Sequence, residues 1–599
     1  MGRGRVFKAV LPVVFVVLGT IIVVQKQGSW KGASVVGDTT GFESESAQVG
    51  SDEFPWDEIP GSKELKWHAC YKERECARLL VPANYSDPSG PSFNLALIRK
   101  RAAVSPDSKD YRGPVLFNPG GPGGSGVTFL NSFFADAFST ILGGQFDIVS
   151  FDPRGIARSS PRASFFATDI EREFWGQGLL TSNLSDVASA WARSRVSSQL
   201  AEENDAGLLR HINTPNTARD MLSIVEAHGR SKIQYWGFSY GTILGATFAA
   251  MFPDKIERFI IDGVADSEDY YSAMWSTALR DTDKALDSFF TDCANAGPEG
   301  CAFWAPTPEN IQQNLTALIE SVRAAPVPIR SESGYGLLNS NLLRSEIFSG
   351  LYFPYASFVP LAQGLADLAA GNGKTLFDLG NPPMYECVCH PEGEDLAKEV
   401  RDSQVAVLCN DGEEVPDDLK SAQEYFDMMM KVSQWGDLIA AITRLQCIGW
   451  PKFPKHPFRG PFVGNTSHPI LLIGNTADPV TPLWAAKKMS KGFKDSVVLT
   501  QNSAGHCSIS APSLCTQKYI RDYFIDGTLP EPGTVCETLM PPFPSAGVGV
   551  KELDTQAIWS TSMTAEERDI TEAILELSRN PAVLQFPGFK LSLPRGRKI

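Results

Sequence analysis

Short apolar runs recur through the first half of the chain, and glycine, proline or polar residues bound most of them. Runs of about four to eight apolar residues with such boundaries are typical of buried strands. Helical patterns separate these runs, and this alternation predicts an α/β fold, with a mostly parallel sheet and helices on both faces. The predicted strands are Arg78–Val81, Phe93–Ile98, Val115–Phe117, Phe146–Phe151, Ile233–Trp236 and Phe259–Ile261.

A long segment interrupts this pattern. About 200 residues separate the last of these strands from the next apolar run, Pro469–Ile473. Because connections in such sheets usually hold about 2–6 residues, the segment is predicted to form a separate unit. Patterns such as Ala285–Phe290 and Asn341–Leu351 indicate a helical cap. Its aromatic clusters, Tyr270–Trp275 and Tyr352–Tyr355, could line a pocket, but aromatic residues at helical spacing more often pack in a core, which is the interpretation we favour.

Both ends of the chain carry segments of their own. Residues 9–25 form an uncharged run of 17 residues behind a basic N-terminus, at the lower limit of the roughly 17–25 that span a bilayer and above the roughly 7–15 of a signal-peptide core. A signal anchor and a cleaved signal peptide both fit, and we favour an anchor with residues 1–8 in the cytosol. Residues 26–55 have the composition of a linker. Thr564–Glu567 predicts a capping box that opens a helix ending near Ser578.

The composition indicates a globular protein with a sizeable core. The chain has 599 residues, of which 43% are hydrophobic, and a net charge of -15. Such a charge argues against nucleic acid and against broad adhesion to anionic membranes. Eleven cysteines and sequons at Asn84, Asn183, Asn314 and Asn465 favour entry into the secretory pathway. The ligand residues of Cys387–His390 are too close together for a standard zinc site, so no metal is predicted, and no cofactor.

A candidate nucleophile follows the strand at 233–236. The pattern Gly-x-Ser-x-Gly at 237–241 lies between this strand and a helix of small residues that begins at Thr242. A serine between two glycines fits a sharp strand-to-helix turn that exposes its Oγ at a helix N-terminus. Ser239 is therefore predicted to be the nucleophile of a hydrolase.

A serine hydroxyl needs a histidine base and a carboxylate that orients the histidine. Asp478 lies in a turn directly after the run 469–473, and the next apolar run, Ser496–Thr500, precedes His506. In this fold the order along the chain is serine, acid, histidine, and of the seven histidines only His506 follows Asp478. Asp478 and His506 are the predicted acid and base.

Asp262 is a rival for the acid, because it ends the strand that follows the elbow helix. We favour Asp478, since Asp262 is more simply explained as a turn carboxylate that caps backbone amides before Gly263.

The loop 118–126 is rich in glycine and follows the strand at 115–117. Such a loop lets backbone N–H groups approach a tetrahedral oxyanion, and the second donor is then the N–H of Tyr240. Gly121 is our first choice for the loop donor and Gly120 the next. A dinucleotide or phosphate loop is a weaker interpretation, because no Gly-Lys-Ser/Thr sequence ends the loop.

These motifs resemble, in order, those of the tripeptidyl aminopeptidase-like serine peptidases of the prolyl iminopeptidase clan, within the α/β-hydrolase superfamily. The resemblance extends from Trp67 to about Cys536 and rests on Asn118–Gly123, Phe151–Gly155, Gly237–Thr242, Gly474–Pro482 and Gly505–His506. It implies an α/β-hydrolase fold, a triad of Ser239, Asp478 and His506, and removal of short peptides or single residues from free N-termini. In one turn the sequence departs from the family's pattern, because Ala157 replaces a glycine.

Proximity or the same resemblance makes three disulfide pairs plausible: Cys70 with Cys76, Cys293 with Cys301, and Cys409 with Cys447. Cys507, Cys515 and Cys536 compete for another, and the odd number of cysteines leaves at least one thiol unpaired.

The predicted organisation places the catalytic domain in the lumen or outside the cell, anchored by a single span or secreted. The segments are a cytosolic N-terminus (1–8), a signal anchor or signal peptide (9–25), a linker (26–55), the first part of the α/β-hydrolase core (56–265), the helical cap (266–450), the second part of the core with a TAP-like C-terminal region (451–540), and a C-terminal extension (541–599).

Three functions are compared. The first is a serine aminopeptidase acting on peptides with a free N-terminus, the second an esterase or lipase of the same fold, and the third a non-catalytic ectodomain, which usually lacks a triad residue. An anionic subsite in the cap that holds an α-ammonium group would favour the first. Glu268, Asp269 and Glu346 are cap carboxylates, but the sequence assigns no substrate-binding residue.

Overall fold

A ten-stranded sheet organises the protein in its computed structural model. The residues described are 54–168, 170–172, 175–176, 186–331, 334–380, 400–543 and 563–585, all within one compact unit, Glu53–Ile599. The predicted signal or anchor segment, nearly all of the predicted linker, Asn183 and Cys387–His390 lie outside the described residues.

Twelve strands occur in the described ranges. They are β1 His68–Cys70, β2 Arg74–Pro82, β3 Ser92–Lys100, β4 Gly113–Asn118, β5 Phe146–Phe151, β6 Ile233–Phe238, β7 Ile256–Asp262, β8 Val327–Arg330, β9 Tyr335–Leu338, β10 Leu471–Ala477, β11 Val497–Ala504 and β12 Val535–Glu537. The large sheet has the order β1-β2-β3-β5-β4-β6-β7-β10-β11-β12. The pairs that join β1, β2, β3 and β5 are antiparallel, and every pair from β5 to β12 is parallel.

Helices connect most of these strands. Those described are α1 Gly126–Leu130, α2 Phe134–Leu142, α3 Val187–Glu203, α4 Thr214–Ala227, α5 Tyr240–Met251, α6 Ser267–Tyr271, α7 Thr282–Gly300, α8 Pro308–Ala324, α9 Ser340–Gly350, α10 Pro354–Ala369, α11 Lys374–Gly380, α12 Val400–Asp411, α13 Leu419–Val432, α14 Gly436–Ile442, α15 Leu483–Met489, α16 Leu514–Asp526 and α17 Ala565–Arg579. The six strands predicted from the first half of the chain all lie within β2–β7.

Neighbouring residues of the central strands pack on opposite faces of the sheet, as the pleat of a strand requires. Trp236 and Ile260 belong to one buried cluster, to which α2 contributes, whereas Tyr235 and Ile261 belong to a second cluster with α4 and α5. Helices therefore cover both faces, and the predicted α/β-hydrolase fold is confirmed.

The long insertion is mainly helical, as predicted. Helices α6–α14 and the antiparallel hairpin β8–β9 lie between β7 and β10. Although the length of this connection suggested a separate unit, its aromatic residues share a cluster with the sheet: Phe289 of α7 and Phe358 of α10, with ring centroids 5.1 Å apart, pack in the same cluster as Trp236. The cap boundaries 266 and 450 stay a prediction.

Four disulfides are present in the described residues. Cys70–Cys76, Cys293–Cys301 and Cys409–Cys447 form as expected, and Cys515 pairs with Cys536. Cys507 is a buried free thiol. The competition among the three C-terminal cysteines is thereby resolved.

Two further features bear on the predicted organisation. Helix α17 begins with the expected capping box, in which Thr564 and Glu567 bond each other's backbone N–H. Among the described helices none is long and apolar enough to cross a membrane, and residues 9–25 are not among those residues. The sequon residues Asn84, Asn314 and Asn465 are exposed.

Candidate active site

The predicted nucleophile lies on a sharp turn. Ser239 joins β6 to α5 with φ 56° and ψ -120°, a left-handed conformation that is uncommon for a residue with a side chain. The glycines around it leave room for this turn. A Cβ on Gly237 would lie 2.6 Å from the carbonyl oxygen of Gly241, and a Cβ on Gly241 would lie 3.0 Å from that of Asn118. This is the geometry expected of a nucleophile elbow.

Backbone hydrogen bonds hold the elbow in place. The N–H of Ser239 donates to the carbonyl oxygen of Asp262 on the neighbouring strand (3.0 Å). The carbonyl oxygen of Ser239 accepts from the hydroxyl of Thr242 (2.6 Å). Ser239 itself is only partly buried, so its hydroxyl lies at the boundary between the sheet and the cavity described below.

The predicted acid and base are bonded to each other. His506 Nδ1 lies 3.0 Å from both carboxylate oxygens of Asp478, and both side chains are fully buried. Asp478 also accepts from the backbone N–H groups of Val480, Thr481 and Cys507, at 2.9–3.0 Å. Burial favours the neutral carboxyl, but the His506 charge and these hydrogen bonds outweigh it and lower the pKa of Asp478 below its usual value.

A cap residue also holds His506. The backbone N–H of His506 donates to the carbonyl oxygen of Tyr352 (2.8 Å), and the two rings meet edge to face with centroids 5.1 Å apart. Thr481 Oγ1 lies 3.1 Å from Nδ1. With Nδ1 directed at Asp478, the nitrogen left to act on Ser239 is Nε2. The sequence singled out Tyr352 only as part of an aromatic cluster, and nothing predicted its bond to His506, which lies far away along the chain.

Asp262 has a different role from the one expected. Its carboxylate does not cap the turn before Gly263 but accepts from the N–H (2.8 Å) and hydroxyl (2.5 Å) of Ser508 and from Trp236 Nε1 (3.2 Å). The interpretation of Asp262 as a local turn cap is therefore wrong. It binds the loop that carries His506, while His506 bonds to Asp478.

The glycine-rich loop lies against the elbow. A Cβ on Gly120 would lie 2.9 Å from that of Ser239, and the loop reaches this approach through positive φ at Gly120 (97°) and Gly121 (113°). Gly121 and Tyr240 line the same cavity as Ser239. Within the described residues the N–H of Gly121 has no acceptor, and Tyr240 is the first residue of α5, whose N–H has no partner within the helix. The assignment of these two N–H groups to an oxyanion hole stays a prediction.

The buried carboxylate of Asp152 binds residues at and just after the C-terminal end of the glycine-rich loop. Asp152 accepts from the hydroxyl of Ser125 (2.6 Å) and the N–H of Val127 (2.9 Å) with one oxygen, and from the N–H of Arg158 (2.9 Å) with the other. These bonds join the motif at 151–155 to the residues that directly follow the first motif. Ala157, which replaces the usual glycine, adopts φ 45°, so the turn keeps the left-handed conformation that a glycine would adopt without strain.

The insertion and the sheet enclose a cavity at Ser239. Its empty volume is about 930 Å³, part of it open to solvent, and Ile243, Leu408, Ile439 and Val480 give it apolar walls. Three aromatic residues of the cap also line it: Tyr270, Trp275 and Tyr352. Tyr270 and Tyr352 are at the same time buried in the core, as we expected, and Trp275 packs against the core. A second cavity, at Phe165, Arg172 and Asp402, contains no residue of the predicted triad.

Two carboxylates line the cavity at Ser239. Asp266 forms an ion pair with Lys488 (2.7 Å), which also binds the exposed Glu268. Asp269 accepts only from neutral groups: the hydroxyl of Ser276 (2.7 Å) and the N–H and hydroxyl of Thr277 (both 2.9 Å). No basic side chain of the described residues pairs with Asp269. The third candidate carboxylate, Glu346, is buried and does not line this cavity.

Comparison with known proteins places these features in a family context. A family model described as TAP-like protein matches residues 433–536, which include Asp478 and His506. The serine protease Hip1 of Mycobacterium tuberculosis is 28% identical over 475 residues, which are 77% of this chain and 87% of Hip1. The tripeptidyl aminopeptidase of Streptomyces lividans is 25% identical over 497 residues, 80% of this chain and 88% of that protein. Carboxylesterase B of M. tuberculosis is 24% identical over 490 residues, 78% and 89% of the two chains. The resemblance found in the motifs is confirmed.

Proposed function

We propose that this serine peptidase, a homologue of the tripeptidyl aminopeptidases over about four fifths of its length, releases tripeptides, dipeptides or single residues from short peptides with a free N-terminus. The observation that carries the proposal is the carboxylate of Asp269. It lines the cavity that Ser239 lines, and its hydrogen-bond donors among the described residues are all neutral. A substrate α-ammonium group would supply the missing positive charge by a charge-assisted hydrogen bond.

The chemistry proceeds through an acyl-enzyme. Ser239 Oγ attacks the scissile carbonyl carbon while His506 Nε2 takes the hydroxyl proton, and Asp478 stabilises the imidazolium through Nδ1. The N–H groups of Gly121 and Tyr240 bind the tetrahedral oxyanion. His506 then gives the proton to the leaving amine as the C–N bond breaks. Water, activated by the same imidazole, cleaves the ester and releases the short N-terminal product.

The cap supports exopeptidase rather than endopeptidase activity. The cavity lies between cap and sheet, and a short N-terminus enters such a space more easily than the middle of a folded chain. Its apolar walls fit apolar side chains in the released segment. The separation between Asp269 and Ser239 would then set how many residues lie before the scissile bond.

An ester substrate is the second candidate. The relative named carboxylesterase B favours it, because the same triad cleaves esters and the fold does not fix the substrate.

We also propose that the protein enters the secretory pathway, with a single-pass anchor or a cleaved signal at residues 9–25. Four disulfides support an oxidising compartment. The exposed sequons at Asn84, Asn314 and Asn465 are accessible to a glycosyltransferase.

The test compares a tripeptide anilide with its N-acetylated form and with a short acyl ester. We expect the Asp269→Asn variant to raise KM for the free-amine anilide about 10- to 100-fold, the range for loss of a charge-assisted hydrogen bond, and to leave kcat/KM for the ester unchanged. N-acetylation should have the same effect on the unchanged protein.

Glu268→Gln is the matched control, because this neighbouring carboxylate is exposed and paired with Lys488. Ser239→Ala supplies the blank and should also abolish labelling by a fluorophosphonate. Labelling that persists in Ser239→Ala would reassign the nucleophile. Equal cleavage of acetylated and free peptides would replace the aminopeptidase with the esterase.

A further inference from the structure

Asp262 forms hydrogen bonds both with the turn that carries the predicted nucleophile and with the loop that carries the predicted base. Its backbone carbonyl oxygen accepts from the N–H of Ser239 (3.0 Å) on the elbow and from the thiol of Cys507 (3.4 Å). Its carboxylate accepts from the N–H and hydroxyl of Ser508. One fully buried residue thus joins the turn that carries the nucleophile to the loop that carries the base.

The same residue is linked to the strand that carries the acid. The N–H of Gly263 donates to the carbonyl oxygen of Ile473 on β10 (3.0 Å). There is little free space here, since a Cβ on Gly263 would lie 2.4 Å from the sulfur of Cys507. A displacement of Asp262 would therefore move the elbow and the His506 loop together.

Few titratable groups act on the Asp262 carboxylate. His506, from the loop after β11, lowers the pKa of the Asp262 carboxyl. Asp262 also acts on the thiol of Cys507, as does Asp478 from the end of β10. Trp236, its partner on β6, is neutral. No Lys or Arg of the described residues pairs with it. Positive charge near Asp262 therefore arises when His506 becomes protonated, as it does during catalysis.

We propose that Asp262 is a positioning residue for the reaction: it ties the nucleophile elbow to the His506 loop and places a second negative charge beside the imidazolium. The proposal rests on the triad proposed above. Asp478 orients the ring directly through Nδ1, whereas Asp262 acts through the loop and through its charge.

The protonation state of Asp262 then matters for the rate. Burial raises the pKa of Asp262 to about 6, against the hydrogen bonds from Ser508 and Trp236 and the His506 charge, which lower it. Burial and the two nearby carboxylates raise the pKa of the Cys507 thiol, and the pKa of Asp478 is lowered. Asp262 therefore changes its charge in weakly acidic solution.

The experiment follows the rate of fluorophosphonate labelling of Ser239 against pH, because this rate depends on the nucleophile and its base but not on the peptide substrate. In the unchanged protein we expect an acid limb to which the protonation of Asp262 near pH 6 contributes. In Asp262→Asn we expect this contribution to be missing, so that the limb becomes shallower, and a plateau reduced by up to about 10²-fold because the elbow and the His506 loop have lost a shared partner.

Two variants sharpen the result. Ser508→Ala removes one donor to the ionised Asp262, so its acid limb should begin at higher pH, the opposite direction. Asp292→Asn is the matched control. Burial also raises the pKa of Asp292 to about 6, but this residue lies on α7, away from the elbow. The acid limb of the Asp292→Asn variant should therefore lie at the same pH as in the unchanged protein.

A labelling rate that Asp262→Asn lowers by one factor at every pH would overturn the proposal and leave Asp262 with a structural role only. So would an unchanged profile. If Asp262→Asn does not fold, the test rests on Ser508→Ala. An acid limb of the labelling rate at the same pH as in the unchanged protein would then contradict the proposal. Failure of peptide cleavage with intact labelling would count against the aminopeptidase and not against Asp262.

Discussion

The surroundings of Asp262 and Asp478 shift the pKa values of these two identical side chains in opposite directions. Both are fully buried at the ends of neighbouring strands, yet the pKa of Asp262 is raised and that of Asp478 is lowered. Burial acts on both in the same direction. Asp478 overcomes it through His506 and several backbone N–H groups, whereas the direct partners of Asp262 are neutral donors.

The raised pKa of Asp262 has a consequence for stability. Between its ordinary pKa of 3.8 and about 6, the folded protein keeps a proton that the unfolded chain has released. The free energy of unfolding therefore falls as pH rises through this window, and the penalty at neutral pH is on the order of 3 kcal/mol.

We expect Asp262→Asn to remove most of this dependence while it slows the reaction. Urea unfolding at pH 4.5 and pH 8 measures it: the difference in unfolding free energy between the two pH values should change by about 2–3 kcal/mol relative to the unchanged protein. Other carboxylates contribute equally to both proteins and cancel. Parallel pH curves for the two proteins would contradict the raised pKa.

Local patterns were sufficient to predict most strands of the large sheet. Six strands, the elbow helix and the capping box at Thr564 follow from apolar runs, glycines and a Thr-x-x-Glu pattern. Strands β1 and β12 were missed because three residues carry too little periodicity. The bonds from Tyr352 to His506 and from Asp262 to Ser508 join distant parts of the chain, and a single sequence holds no record of such pairings.

Two reciprocal hydrogen bonds form the capping box at the start of helix α17. Thr564 Oγ1 accepts from the N–H of Glu567 (3.1 Å), and Glu567 Oε2 accepts from the N–H of Thr564 (3.0 Å). Glu567 also binds Lys518 of α16 (2.7 Å). The cap thus orients a side chain that links the start of α17 to α16, while buried residues such as Ala573 and Leu577 pack the helix against the core.

We expect Thr564→Ala to destabilise α17 by about 1 kcal/mol, the usual effect of losing an N-cap side chain. Faster amide hydrogen exchange confined to 565–579 would report it. Thr291→Ala is the control, because Thr291 is exposed within α7 and its hydroxyl bonds only the preceding turn; alanine is at least as good a helix former there. Equal exchange in both variants would show that the capping box adds nothing.

At the scale of the whole molecule, the cap and the sheet depend on each other. Phe289 and Phe358 of the cap share a buried cluster with Trp236 of β6, and Tyr352 bonds His506. Removal of the insertion would therefore expose the sheet face and remove one of the contacts that hold the proposed base. The site could not be derived from the sheet alone, because most of the residues that line the cavity belong to the segment between β7 and β10.

The sheet ends on both sides in a strand of three residues secured by a disulfide. Cys70–Cys76 fastens β1 to β2, and Cys515–Cys536 fastens β12 to α16. A loop as short as the six-residue separation of the first pair restricts the unfolded chain little. We infer that these bonds protect the borders of the sheet, since a short border offers few free backbone groups to another molecule.

Loss of these bonds would leave β2 and β11, nine and eight residues long, as open templates for strand addition. We expect the Cys515→Ala/Cys536→Ala variant to form thioflavin-positive polymers at concentrations where the Cys293→Ala/Cys301→Ala variant stays monomeric, because the second bond lies in the cap. Light scattering during mild heating measures the difference, and equal polymerisation would refute it. The disulfides at the borders of the sheet would then set the highest concentration at which this enzyme stays soluble, because above it the exposed strands of different molecules would pair.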